Sequence, residues 1–243
     1  MASGTALLCA LPAVIAALPV PSSAISAPAL RDRILASAGV PYQGYAESTV
    51  NLGLPELPDL HNVSLLEPFK KAAKELVDAG VDGITTTCGF LSIYQQELVD
   101  FCGVPVATSS LLQVPMVQRI IPSDKKVGIL TYNGEVLNGK YLEAVGIAAD
   151  TPVYGMPQDS EFVRSIREGD DGVPYAVLRQ EVLDLVARML RENPSISAIV
   201  SECTNLAPFT ADIQQTFGIP IYDTVSLVNW FQAGLRPRRY PAE

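Results

Sequence analysis

Cys88 in VDGITTTCGFL and Cys203 in ISAIVSECTNLAPF each end a β-branched apolar run, just where a helix is expected to begin. Pro105 in GVPVATSS follows Cys88 by 17 residues, and Pro220 in GIPIYDTVS follows Cys203 by 17, so the chain repeats a unit of strand, cysteine, helix and strand. Two thiols held in this way can work on one carbon from opposite sides. A helix N-terminus lowers a thiol's pKa from about 8.5 and makes the thiolate available as base or nucleophile. The same terminus offers unpaired N–H groups, here of Gly89, Phe90, Thr204 and Asn205, suited to a carboxylate. Thr85, Thr86, Thr87, Ser109, Ser110 and Thr204 supply hydroxyls around that space. Donors aimed at a carboxylate stabilise the charge that develops as a thiolate removes the neighbouring C–H proton. A second thiol that returns a proton from the far side gives racemisation. A leaving group on the next carbon gives β-elimination instead.

A single cysteine at a strand end is more often a small buried hydrophobe than a catalyst. Two at equivalent positions, each followed by small or polar residues, reverse that weighting. Cys102 in LVDFCG reads as core, and Cys9 has neither partner nor context. The four cysteines lack the CxxC or Cys/His clustering of a zinc site or disulfide framework, so no metal is expected and a reducing compartment is. The only histidine, His61, lies in the Pro-rich stretch GLPELPDLHNVS and reads as a loop residue. A net charge of −9 over 243 residues, with no Lys/Arg run beyond Arg236, Arg238 and Arg239, argues against nucleic acid and anionic membranes as partners. A small soluble ligand is the better fit.

The elements that must position the cysteines alternate. Leu65, Leu66, Phe69, Ala72, Ala73, Leu76 and Val77 fall on one helical face, with Gly80 as a C-cap. Strands are expected at 81–86 and 104–108, and helices at 90–101 and 111–121. A second round runs from the strand KVGILTYNG through a helix near 135–145, a short TPVYGM strand and the polar stretch SEFVRSIREGDDG. It continues with a helix at 175–192, a strand at 196–201, a helix at 206–217, a strand at 219–222 and a last helix at 225–231. Such alternation predicts α/β architecture, with two pseudo-symmetric Rossmann-like lobes, parallel sheets and the site between them. The boundaries are 64–123 for the lobe of Cys88 and 124–243 for the lobe of Cys203. Residues 1–63 read as an irregular N-terminal region. Its apolar run 6–20 is either a targeting segment or a diverged first strand. The spacing from Cys203 back to Lys126 is 77 residues, and the same step back from Cys88 lands on residue 11, within LPAVIAAL, which favours the strand. The stretch AGVPYQGYAESTVNLGLPELPDL reads as irregular loop lining the site.

The motifs TTTCGFL, VPVATSSLLQVP, KVGILTYN and SECTNLAPF, with their spacing, resemble the aspartate/glutamate racemase superfamily over residues 64–230. The resemblance implies two lobes, no cofactor, a homo-oligomer and one catalytic cysteine from each lobe, Cys88 and Cys203. The amino-acid racemases usually follow the first cysteine with Asn-Thr and the second with Thr-His or Thr-Glu. Here Gly89-Phe90 and Thr204-Asn205 follow, which looks more like the branch of algal Alma-type dimethylsulfoniopropionate lyases. That resemblance implies cleavage to dimethyl sulfide and acrylate, with Cys203 preferred as base, though the residues alone do not separate it from Cys88. A sulfonium has no N–H donors, so aromatic faces should recognise it. Tyr132, beside Asn133 at the end of the KVGILTYN strand, is the first candidate, with Phe90, Tyr94, Tyr42 and Tyr45 behind it. Two alternatives stand beside the lyase: an amino-acid or hydantoin-type racemase using the same cysteines, and a noncatalytic carboxylate-binding protein. The apolar helix at 110–121 suits a subunit interface, and the compartment is left open between cytoplasm and plastid.

Overall fold

A computed structural model describes residues 13–17, 45–49, 66–137, 139–170 and 172–237. His61, Cys9 and Tyr42 lie outside the described residues. The β-branched run of each half supplies the middle of a four-stranded sheet. The second sheet has the order β6-β5-β7-β8 and is parallel throughout: β5 is Lys126–Thr131, β6 Val153–Gly155, β7 Ile196–Ser201 and β8 Ile221–Tyr222. β5 and β7 are buried along almost their whole length, as expected of central parallel strands covered on both faces.

The first sheet has the order β2-β1-β3-β4, with β1 at Ala13–Ala17, β2 at Tyr45–Thr49, β3 at Ile84–Thr86 and β4 at Val106–Ala107. It departs from the expected parallel sheet. β3 and β4 are parallel, but β1 runs antiparallel to both β2 and β3. β2 and β3 therefore point the same way with β1 between them, a split crossover in which helix α1, Leu66–Asp78, links the two outer strands. β1 falls in the LPAVIAAL run. β2 is a strand in a stretch that its Pro and Gly content marks as irregular, because those residues flank YAEST rather than interrupt it.

Helix α1 buries Phe69, Ala72, Ala73 and Leu76 and ends at Gly80, whose φ of 83° is left-handed. The segments that follow the strand ends open with 3₁₀ turns where single helices are expected. Gly89–Tyr94 runs into α2, Gln95–Cys102; Ser110–Leu112 runs into α3, Gln113–Ile120; and Thr204–Phe209 runs into α7, Thr210–Phe217. Between them lie α4 at Gly139–Glu143, α5 at Glu161–Glu168 and α6 at Tyr175–Glu192, and α8, Thr224–Leu235, closes the described chain. α5 occupies the stretch read as merely polar. Ser160 caps its start, Gly169 its end, and Arg164 pairs with Glu161 and Glu168 along its surface.

Two helices cross between the sheets. α3 follows β4 of the first sheet but packs against β5 and β7 of the second, burying Val114 and Val117 in that core. α8 follows β8 of the second sheet, and its far end returns to the first. Phe231 and Leu235 lie so close to Gly83 that a Cβ there would collide with Leu235, and Arg236 pairs with Asp82 at 2.5 Å. The exchanged helices also meet each other. Gln113 donates to the Asp223 carbonyl at 2.9 Å and accepts from the Ser226 hydroxyl at 2.8 Å, next to the capping box that starts α8. Ile129, in the middle of β5, is fully buried in the second core. Ile129→Ala is expected to cost about 2–5 kcal/mol, mostly from the cavity it leaves, as measured by urea unfolding.

Candidate active site

The connections leaving β5 and β7 diverge, one toward β6 and the other toward β8, the topology at which open parallel sheets hold ligands beyond their carboxyl ends. Tyr132 and Asn133 follow β5 there, and Glu202 and Cys203 follow β7. The first sheet presents Thr87 and Cys88 after β3, and Thr108, Ser109 and Ser110 after β4. Each cysteine is the N-cap of a 3₁₀ turn with extended backbone, Cys88 at φ −122° and Cys203 at φ −78°.

Hydrogen bonds sew these strand ends together across the lobes. The Thr204 hydroxyl donates to the Thr87 carbonyl at 2.8 Å, so the residue after one cysteine holds the residue before the other. The Ser110 hydroxyl donates to the Ser201 carbonyl at 2.6 Å, and that of Ser92 to the Tyr141 carbonyl at 3.2 Å. Phe90 meets Tyr141 edge-to-face with centroids 5.2 Å apart. Within the first lobe, Thr86 donates to the Thr108 carbonyl, and Gln95 bonds Val106 and Thr108 to fix β4. Cys88 packs against the hydrophobic cores of both lobes.

Most of the hydroxyl and aromatic candidates thus have structural partners. Thr85 bonds the Ala107 carbonyl, and Ser109 accepts from the Leu111 N–H at 3.1 Å. Asn133 accepts from the N–H groups of Glu135 and Val136 in a turn. Phe90 and Tyr132 are buried in the second core, and the Tyr132 hydroxyl is directed to the Val163 carbonyl at 3.4 Å. Tyr94 is half-buried against the first core, and burial raises its pKa. Tyr45 lies in β2. Thr87, Cys88, Thr204 and Asn205 keep partial exposure, and the Thr204–Thr87 bond joins them into one accessible set; Gly89 beside them is buried.

One buried group has no counterpart among the expected residues. Glu202 is 2% exposed. Its Oε2 accepts from the Thr131 hydroxyl at 2.5 Å, and its Oε1 has no hydrogen-bond partner among the described residues. The side chain lies against Gly89, where an added Cβ would overlap the carboxyl group. Gly89 is therefore the opening in the first lobe that admits Glu202 from the second. The sequence signal is an acidic residue between a mostly apolar strand, ISAIVS, and a cysteine, in SEC.

Burial pushes the Glu202 carboxyl up to about 7, opposed by the Thr131 hydrogen bond. The expectation that a helix start lowers the cysteine's pKa fails for Cys203. Burial first, then the neighbouring Glu202 charge, push this thiol well above its ordinary range. The backbone N–H groups of Asn205 and Leu206 act in the opposite direction and are outweighed, and Cys88 adds to the rise. Cys88, Cys102 and Cys203 are all free thiols, and burial raises Cys102 in the first core. Among the described residues no group of three or more His, Cys, Asp or Glu is arranged to hold a metal ion, and no helix is long and apolar enough to cross a membrane.

No protein-family model matches the chain. Its α/β fold is similar to that of solved structures of arylmalonate decarboxylase. Unliganded arylmalonate decarboxylase superposes with a TM-score of 0.53 at 16% identity, covering 74% of this chain and 82% of that one. In sequence the chain is similar to dimethylsulfoniopropionate lyases. It is 29% identical to one from Durusdinium sp. clade D over 68% of this chain and 57% of the relative. It is 30% identical to dimethylsulfoniopropionate lyase 3 of Emiliania huxleyi over 74% of this chain and 48% of the relative. The chain thus spans about half the length of the curated relatives it matches.

Two outcomes follow from the Glu202 contact. Gly89→Ala is expected to destabilise by about 1–3 kcal/mol through overpacking, with a smaller penalty in a Glu202→Ala background, as a double-mutant cycle in urea would measure. The second concerns pH. A carboxyl whose pKa rises on folding favours the fold in its protonated form, so its contribution is complete below the ordinary 4.5 and is lost as pH rises toward about 7. Unfolding free energy should fall across that window in the wild type, and fall less in Glu202→Gln.

Proposed function

We propose that this chain is a cofactor-independent carbon–sulfur lyase that cleaves dimethylsulfoniopropionate to dimethyl sulfide and acrylate. The observation that carries the reading is the pair of cysteines, Cys88 and Cys203, capping equivalent 3₁₀ turns on opposite lobes, with the residue after Cys203 hydrogen-bonded to the residue before Cys88. The similarity to dimethylsulfoniopropionate lyases supports the choice of substrate.

In this scheme the substrate carboxylate lies at the partly exposed set of Thr87, Thr204 and Asn205. A cysteine thiolate takes the proton from the carbon next to the carboxylate. The C–H electron pair becomes the new C=C bond, the C–S bond breaks, and its pair leaves on the neutral sulfur of dimethyl sulfide. Cys203 is the base by family resemblance, and Cys88, the more exposed thiol, faces the other side of the substrate. The sulfonium's positive charge suits a site whose ionisable groups, Cys88, Cys203 and Glu202, are all acids.

Incubation with dimethylsulfoniopropionate and headspace detection of dimethyl sulfide tests the scheme. Wild-type protein should release it, and Cys88→Ala and Cys203→Ala should each reduce the rate at least about 100-fold, the scale of a lost general acid or base. No release above the Cys203→Ala control would refute the lyase. Cysteine-dependent exchange of the α-proton of an amino acid into deuterated water, without dimethyl sulfide, would make the chain a racemase.

A further inference from the structure

We propose that Glu202 is a positioning residue for Cys203: the two share one negative charge, and Cys203 becomes a thiolate when that charge leaves Glu202. The inference deepens the lyase reading and rests on it for its catalytic meaning. Its physical basis is geometric. The carboxyl is 2% exposed, immediately precedes Cys203, and is wedged between Thr131 of β5 and Gly89 of the other lobe. A buried carboxylate requires several donors, and among the described residues this one has a single hydroxyl, with Oε1 unpartnered. A neutral carboxylic acid is satisfied by far less. The packing therefore accommodates the acid form, and the acid form removes the Glu202 charge that, after burial, raises Cys203.

The exchange can be written with every proton accounted for. Glu202 carboxylate plus Cys203 thiol becomes Glu202 carboxylic acid plus Cys203 thiolate: one proton changes place, and the net charge of the pair stays at minus one. The groups that bear on this equilibrium come from each element packed around it. They are the Thr131 hydroxyl from β5, Cys203 from the same strand end, and Cys88 beside Gly89 in the first lobe. No Lys, Arg or His among the described residues contributes to the shift of either group. Among the described residues the pair is coupled to itself and to Cys88, and neither member's titration belongs to it alone.

The Cys203 component of thiolate ultraviolet absorbance, taken as the difference between a protein and its Cys203→Ala counterpart across a pH titration, reports the equilibrium directly. In Glu202→Gln, which keeps the side chain's shape, the Cys203 midpoint should fall by about one to two pH units relative to wild type, the scale of a nearby like charge. Thr131→Val should leave the Cys203 midpoint in place, because Glu202 ionises well below it with or without that hydroxyl. A midpoint unchanged or raised in Glu202→Gln overturns the proposal. Circular dichroism checks that each variant is folded; if Glu202→Gln is not, Glu202→Ala decides, with an unchanged or raised midpoint overturning the proposal. The titration uses no substrate, so it stands or falls separately from the lyase assay. If the lyase is active, the ascending limb of its kcat against pH should shift down with the thiol in Glu202→Gln, a change that loosened packing alone would not produce.

Discussion

The whole site depends on the seam where the carboxyl ends of β3 and β7 meet. Neither cysteine is oriented by its own lobe alone. Thr204, next to Cys203, is held by the backbone before Cys88, and Ser110 of the first lobe holds the last residue of β7. Glu202 closes the same seam through shape, since only a residue without a side chain can stand opposite it at Gly89. Hydroxyl-to-carbonyl bonds suit this task because each satisfies a buried carbonyl that the end of a strand leaves open. The seam thus ties the strand end that carries one cysteine to the strand end that carries the other.

This arrangement inverts the usual account of a cysteine at a helix start. The turns that follow both cysteines are 3₁₀, and burial outweighs their N–H groups at Cys203. Depth, with a neighbouring acid, governs this thiol more than the backbone dipole does. The two cysteines also differ: Cys203 is buried, whereas Cys88 is partly exposed and touches both hydrophobic cores. The repeat that places them symmetrically along the chain does not give them equal surroundings.

Much of the architecture is legible in the sequence where the pattern is long and regular. α6 and β7 occupy the expected 175–192 and 196–201, because an eighteen-residue amphipathic period and a β-branched run leave little choice. The positions of both cysteines at strand ends are legible for the same reason. What is lost depends on partners distant in sequence. Local propensity does not separate a 3₁₀ start from an α-helical one, so the turn types were hidden. α5 was obscured by its charged face, with Phe162, Val163 and Ile166 its only apolar anchors. The burial of Glu202 is set by Gly89 across the seam, and nothing in SEC records that approach. The direction of β1 likewise depends on which neighbours it joins, which a run of five apolar residues does not specify.

The return of α8 to the first lobe has a consequence for the order in which the protein is made. A ribosome delivers the chain from its N-terminus, and domains generally fold as units while synthesis proceeds. Here the strand that delivers Cys88 is flanked by Asp82 and Gly83, whose partners are Arg236, Phe231 and Leu235. The first lobe must therefore wait, with that surface uncovered, until the far end of α8 has left the exit tunnel. A nascent chain stalled before α8 carries both cysteines and the residues that join their strand ends, but lacks the partners of Asp82 and Gly83.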